Sequence, residues 1–439
     1  MFKKYHPTLV EKLLAFLGWG FIGIGLLCNQ WVLAKLFASD GVIASSYKIP
    51  IIWFFQAICL LTGYIIINRR NFANLLRITS QRLHFHAKLF PFLFGIIFFF
   101  ILLALTEGLF YIVNTMAANT AKEEWYSSGS LFGDDEWLGY KILPNVHVYE
   151  RKKFNDDLAF EATYSTDEYG RRITPVEHDE KRDNFLLFFG DSFVFGQGVN
   201  DNETLPFYMA KLAPQYKPYN YGVMGYGPQG MLAKLQDNHI AKEIDQNKGI
   251  LVYIMINDHF IRAIGSMRVH NAWGHSMPFY TLDAHDKLIR KGNFTSGRPL
   301  VSLMYRGLGT SQILRFFGID LHGNITDNHV AMTARIIEES RNIFLKKFKS
   351  NRFYVLFFPN QKETRRLIPA LQSADIQYVD YVDLFDVTQE GFEIKNDGHP
   401  TPKAYKTIAT RLAKDLNIGG PRAEEQGQQV GTQSTLRSR

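Results

Sequence analysis

The stretch Asn184-Phe185-Leu186-Leu187-Phe188-Phe189-Gly190-Asp191-Ser192-Phe193-Val194-Phe195-Gly196-Gln197-Gly198 decides how the rest of the chain is read. Five apolar residues without polar alternation, Phe185–Phe189, predict a strand covered on both faces, as in a parallel sheet. In an open α/β sheet, ligands bind outside the carboxyl ends of the strands, which is where Ser192 falls. The glycines around it let backbone come close to a bound molecule. Working outward, further strands are predicted at Leu251–Ile256, Phe353–Phe358 and Gln377–Tyr381, with a shorter one near Tyr219. They alternate with helical stretches at Thr204–Leu212, Gln229–Glu243, Met332–Lys349, Glu363–Ala374 and Pro402–Leu416, the pattern of a parallel sheet with crossover helices. The last helix starts well, with Thr401 as cap and Pro402 in the first turn.

The chain has 439 residues, 46% apolar and 14% aromatic, enough for a sizeable core. Its two cysteines, Cys28 and Cys59, both sit in apolar runs, which excludes a disulfide scaffold and a cysteine-based zinc module. The net charge of +7 is concentrated at one end. Residues 1–115 hold ten Lys/Arg and three Asp/Glu, and the remainder holds 39 of each sign, so no basic footprint for nucleic acid exists there.

The basic part is also the apolar part. Leu13–Ala34, Ile49–Asn68 and Leu89–Thr106 run without a charge for 22, 20 and 18 residues, each long enough to cross a bilayer. Three transmembrane helices are therefore expected, and the first does not read as a cleavable signal. Arg69, Arg70, Arg77, Arg82 and Lys88 crowd the second loop, whereas the first holds only Lys35, Asp40 and Lys48. The excess of positive charge assigns the second loop, and the N-terminus with Lys3, Lys4 and Lys12, to the cytoplasm. Everything beyond the third span is then extracytoplasmic, the periplasm if the membrane is a bacterial inner membrane. Glu107, about 27 Å along the helix from Leu89, is expected at the outer interface rather than in a working role.

The domain reading is a three-helix anchor over 1–115, a lead-in subdomain over 116–183, an α/β domain over 184–418 and a disordered tail over 419–439. The lead-in contains Trp137-Leu138-Gly139-Tyr140, Pro144-Asn145 and a hairpin ending near Tyr169-Gly170. Residues 260–328, with Trp273, Phe279, Tyr280 and Tyr305, fit no regular alternation and read as an insertion forming a lid or substrate wall.

Four blocks fall at strand ends or before the final helix: Gly190-Asp191-Ser192, Asn220-Tyr221-Gly222-Val223-Met224-Gly225-Tyr226-Gly227, Ile256-Asn257-Asp258, and Asn396-Asp397-Gly398-His399-Pro400. The constellation resembles the SGNH or GDSL hydrolase superfamily over about residues 184–416. That resemblance implies a three-layer, flavodoxin-like α/β domain. It also implies Ser192 as nucleophile, His399 as general base, and an oxyanion hole from the Ser192 and Gly225 backbone N–H groups and the Asn257 amide. The commonest family pattern has Asp three residues before the His, a position held here by Asn396. Asp397, two before, is the expected orienting acid, a spacing found in branches that resemble polysaccharide O-acetylation enzymes. The chain has no Gly-x-Ser-x-Gly elbow of the α/β-hydrolase type.

Other residues carry plainer expectations. Asp191 braces the nucleophile turn, Asp258 caps or orients, and Phe193, Phe195 and Tyr226 pack. His259, His270 and His275 belong to the surface or lid and show no metal-ligand spacing. No metal or organic cofactor is implied. The first functional expectation is a membrane-anchored serine esterase removing an O-acyl group, acetyl foremost, from an envelope glycan. The alternatives are an O-acyltransferase using the same serine with a membrane partner as acyl donor, and an inactive module that binds glycan or a partner.

Overall fold

A computed structural model describes residues 9–27, 29–32, 48–68, 90–118, 122–177, 181–285 and 287–419. The five-charge loop, Lys3 and Lys4, and all but the first residue of the expected tail lie outside them. The chain divides into two compact units, residues 1–117 with 311–319, and residues 118–310 with 320–439.

The first unit contains the helices Leu9–Leu27, Lys48–Ile67 and Phe90–Ala118. Gly18 and Gly63 let the first two approach closely, since a Cβ on Gly63 would stand 2.6 Å from the Gly18 carbonyl oxygen. Three spans are expected, but among the described residues one helix is long and apolar enough to cross a membrane, through Phe99–Met116. The apolar stretches of the other two, Gly18–Leu27 and Ile52–Ile67, are shorter. The first run is interrupted at Asn29, whose side chain bonds the Leu26 carbonyl and takes the N–H groups of Trp31 and Val32. Glu107 has specific partners: it accepts from Ser311 Oγ and from the Gln312 N–H, both at 2.6 Å. The short helix Gln312–Phe317 that begins there packs Phe316 and Phe317 against Phe110, at centroid distances of 4.7 and 5.7 Å.

The second unit begins with five strands, β1 (Glu123–Ser127), β2 (Phe132–Asp135), β3 (Gly139–Ile142), β4 (His147–Phe154) and β5 (Asp157–Ser165). They form an antiparallel β1-β4-β5 sheet and a β2-β3 hairpin. Then come β6 (Asn184–Gly190), β7 (Tyr216–Gly222), β8 (Gly249–Met255), the hairpin strands β9 (Pro278–Leu282) and β10 (Leu288–Asn293), β11 (Phe353–Phe357) and β12 (Gln377–Asp380). The main sheet has the order β12-β11-β8-β6-β7, and every pair in it is parallel. Numbered within the sheet this is 2-1-3-4-5, the flavodoxin-like order, whose ligand crevice opens where strands 1 and 3 diverge at their carboxyl ends. Those strands are β6 and β8.

The apolar runs are explained by two covered faces. Leu186, Phe188, Ile250, Val252 and Leu356 share one buried cluster with Tyr405, Ile408 and Leu412 of the helix Pro402–Asp415. Phe185, Leu187, Phe189, Leu251, Val355 and Phe357 share the other with Ile337, Phe344 and Phe348 of the helix Asp327–Phe348. Full burial of each such side chain is worth about 1.5–3 kcal/mol. Val148, Phe160, Ala162 and Tyr164 of the lead-in strands join the first cluster, so the lead-in is part of the wall of the core.

Several boundaries differ from expectation. The strand near Tyr219 is seven residues long and tolerates Pro218 because it lies at the edge of the sheet. The expected helix Gln229–Glu243 stops at Gln236, where Asp237 turns the chain by accepting the His239 N–H, and resumes as a 3₁₀ turn over Ile240–Glu243. The stretch Glu363–Ala374 opens as a 3₁₀ turn before Ile368–Ser373, which carries Pro369 in its first turn. Residues 260–328 contain the β9-β10 hairpin and several short helices, whose changes of direction every few residues leave no long periodic pattern to read.

Candidate active site

Ser192 opens the short helix Ser192–Phe195 directly after β6. The turn is built by its neighbours. Asp191 caps it by accepting the Phe193 N–H at 3.0 Å. Asn220 donates to the Val194 carbonyl at 3.0 Å, tying β7 to the same helix. Gly222 allows that contact, since a Cβ there would stand 2.2 Å from the Phe195 nitrogen. Arg172, buried, donates to the carbonyls of Phe195 and Val199 and to Asp201, fixing the chain that leaves the helix.

His399 lies in a tight loop before the helix Pro402–Asp415. Its carbonyl accepts the Ile394 N–H at 2.8 Å, and Asn396 and Gly398 take left-handed φ values of 64° and 88°. Asn and Gly are the residues that adopt this conformation most readily, which gives Asn396 a backbone role where the family pattern has an acid. Asp397 meets the imidazole: its Oδ2 lies 2.6 Å from His399 Nδ1. Its Oδ1 accepts from Lys152 Nζ of β4 at 2.9 Å. Burial alone would raise the Asp397 pKa; the bond and charge of His399, then those of Lys152, outweigh it and leave the carboxyl below its ordinary value. Phe193, next to Ser192, packs edge-on against the His399 ring at 5.5 Å between centroids. The histidine therefore stands beside the serine turn, although no hydrogen bond joins the two among the described residues. Such contacts are often long in the absence of substrate.

Gly225 and Asn257 occupy the adjoining strand ends. Gly190 pairs with Gly222 and Phe189 with Tyr253, so Gly225 and Asn257 follow the strands flanking β6 closely. Gly225 has φ 79°, and a Cβ there would stand 2.7 Å from both Trp273 Nε1 and the Tyr140 hydroxyl. Trp273 of the insertion bonds the Gly225 carbonyl and Tyr140 of the lead-in bonds the Met224 carbonyl, so both additions to the core hold this turn. The Asn257 N–H donates to Gln361 Oε1 at 3.0 Å, and its own Oδ1 is buried without a partner. Among the described residues, the backbone N–H groups of Ser192 and Gly225 and the Asn257 side-chain amide donate to no group of the chain.

One expectation fails here. His259 is buried and is not a surface or lid residue, whereas His270 is buried within the insertion and His275 is exposed. His259 lies under the site with Nδ1 2.8 Å from the Tyr253 hydroxyl. Asp191 does brace the turn, and it is itself held by Arg262 at 2.6 Å. Burial would raise the Asp191 pKa, but the Arg262 charge first, with the nearby His259 ring and the Arg262 hydrogen bond, holds it well below the carboxylate range. Lys152, Arg172, Arg262 and Gln361 escape a sequence reading. Only Arg262 leaves a trace, four residues after Asp258 on one helical face, with an ion pair of 3.5 Å.

No family model and no curated protein matches the chain. Similar solved structures include a member of the lipolytic G-D-S-L family from Veillonella parvula, 13% identical, covering 53% of this chain and 98% of its own, with a TM-score of 0.31. An acetyl xylan esterase from Butyrivibrio proteoclasticus is 11% identical, with 67% and 82% covered and a TM-score of 0.33. At such identities and scores these likenesses decide nothing about chemistry, which is left to the side chains.

Proposed function

We propose that the chain is a serine esterase of the SGNH type, anchored in a membrane, that removes O-acyl groups, acetyl foremost, from an extracytoplasmic envelope glycan. The observation that carries the chemistry is the Asp397–His399 bond of 2.6 Å in a ring that packs beside the Ser192 turn. With Nδ1–H donated to Asp397, the other ring nitrogen, Nε2, is left to accept the Ser192 proton. Ser192 Oγ then attacks the acyl carbon. The oxyanion is met by the Ser192 and Gly225 N–H groups and the Asn257 amide, donors of a kind typically worth about 3 kcal/mol each. His399 returns the proton to the departing sugar oxygen, and water releases the acyl group from Ser192 by the same path.

The membrane part of the proposal is supported by the apolar helix through Phe99–Met116, and the extracytoplasmic side by the charge bias of the apolar region. The decisive test is turnover of p-nitrophenyl acetate by the full chain in detergent and by Ser192→Ala. Loss of turnover with an unchanged unfolding profile supports the mechanism, and retained turnover removes Ser192 from it. Adding an acetyl-accepting oligosaccharide separates the outcomes: free acetate means hydrolysis, and acetylated sugar means transfer.

A further inference from the structure

The helix Pro299–Gly309 carries its apolar stripe on the wrong side for a core element. Leu300, Leu303, Met304 and Leu308 recur at the spacing of one helical face, with Gly307 between them, and their exposures are 81, 62, 43 and 39%. The opposite face is the one that packs: Ser302 and Tyr305 are fully buried, with Ser302 Oγ bonded to the Phe294 carbonyl at 2.9 Å. Exposed contiguous leucines of this kind mark a surface that something covers.

Two observations choose the occupant. The first is charge. From Lys287 to Ile319 the chain holds six basic residues, Lys287, Arg290, Lys291, Arg298, Arg306 and Arg315, and no Asp or Glu. Residues 116–439 taken whole hold 39 residues of each sign, so this is a local positive segment. The second is continuity. Two residues after Gly309 the chain enters 311–319, which belongs to the apolar helical unit. There Ser311 and Gln312 bond Glu107, and Phe316 and Phe317 lie against Phe110.

We propose that Pro299–Gly309 is an interfacial helix that lies on the surface of an anionic phospholipid bilayer, its Leu/Met stripe among the upper acyl chains and Arg306 at the headgroups. The choice of occupant rests on the membrane anchoring proposed above; the stripe and its charge do not. An amphipathic helix so placed sinks its apolar face about 5–10 Å into the headgroup–acyl boundary. At about 1.5 Å per residue its 11 residues give a contact roughly 16 Å long. Because the same insertion supplies Trp273 to the Gly225 turn, the contact ties the site's wall to the membrane surface.

The test uses the full chain with Cys28 and Cys59 replaced by Ser, reconstituted in vesicles of phosphatidylglycerol and phosphatidylethanolamine. A fluorophore is placed by Leu303→Cys or, as control, by Glu338→Cys on the exposed side of the helix Asp327–Phe348. Flotation first reports anchoring. In floated protein, nitroxide lipids should quench the Leu303→Cys label by more than about half and the control by little, with iodide showing the reverse order. Floated protein whose Leu303→Cys label is quenched by iodide like the control overturns the proposal and leaves anchoring intact. A label shielded from both quenchers means a protein partner covers the stripe and also overturns it. Protein that fails to float overturns both the anchoring and this inference.

Discussion

Two histidine–carboxylate pairs flank the Ser192 turn, and they are built for different ends. In the first, His399 is partly open to solvent, its Nδ1 is 2.6 Å from Asp397, and its ring packs on Phe193. In the second, His259 and Asp191 are both fully buried and stand 3.4 Å apart, and Arg262 takes the carboxylate at 2.6 Å. Burial lowers the His259 pKa, so this ring is kept neutral inside the core. A carboxylate committed to a buried guanidinium holds architecture, whereas a carboxylate committed to an accessible imidazole sets a tautomer. Sequence alone ranks the two pairs poorly, because both carboxylates neighbour a motif residue; burial and the identity of the second partner separate them.

The largest expected effect is on the open pair and on Ser192. Ser192→Ala and His399→Ala should each lower kcat for a small acyl ester by at least about 10³-fold, measured in steady state, with little change in thermal unfolding. Asp397→Asn sharpens the comparison: the ring loses its tautomer control and kcat falls by about 10²- to 10⁴-fold. Asp191→Asn should do the opposite. It leaves the buried Arg262 with only the exposed Asp258, 3.5 Å away, as counter-charge and costs about 3–5 kcal/mol in denaturant unfolding. If Asp191→Asn folded as well as the parent, the assignment of that pair to architecture would be wrong.

A smaller effect is expected at Lys152, which acts on the site through Asp397. Lys152→Met should lower kcat by about tenfold with KM little changed, and Lys152→Arg should restore most of it. The smallest effect is a pH dependence of stability. Glu150, buried in β4, has its pKa pushed up to about 7 by burial first, with Asp397 adding to the rise against the opposing charge of Arg172. The folded chain therefore holds this proton where the unfolded chain, with a carboxyl near 4.5, has released it. Stability from this group is present below pH 4.5 and is lost as pH rises through 7. Glu150→Gln should flatten that decline in thermal unfolding between pH 5 and 8; an unchanged slope would assign the decline elsewhere.

Much of this was legible in advance. The three inner strands of the main sheet announce themselves because burial on both faces demands continuous apolar runs, as in Phe185–Phe189. The site blocks stand out because glycine and polar residues interrupt those runs at their ends. Lys152 leaves no sign in the sequence, and Arg262 only its spacing to Asp258, because their main partners lie 245 and 71 residues away and a charge in an alternating strand or a short helix looks like a solvated one. The burial of His259 is hidden for a related reason: it sits on a helix of seven residues, too short for a periodic pattern to show which face is buried.

The convergence of Ser192 and His399 is tested most directly by treating the full chain with a fluorophosphonate and locating the adduct by peptide mass spectrometry. Displacement of fluoride by an activated serine should place the phosphonyl group on Ser192, with labelling abolished in Ser192→Ala and slowed at least about 100-fold in His399→Ala. A natively folded chain that leaves Ser192 unmodified, or that labels equally fast without His399, would contradict the account.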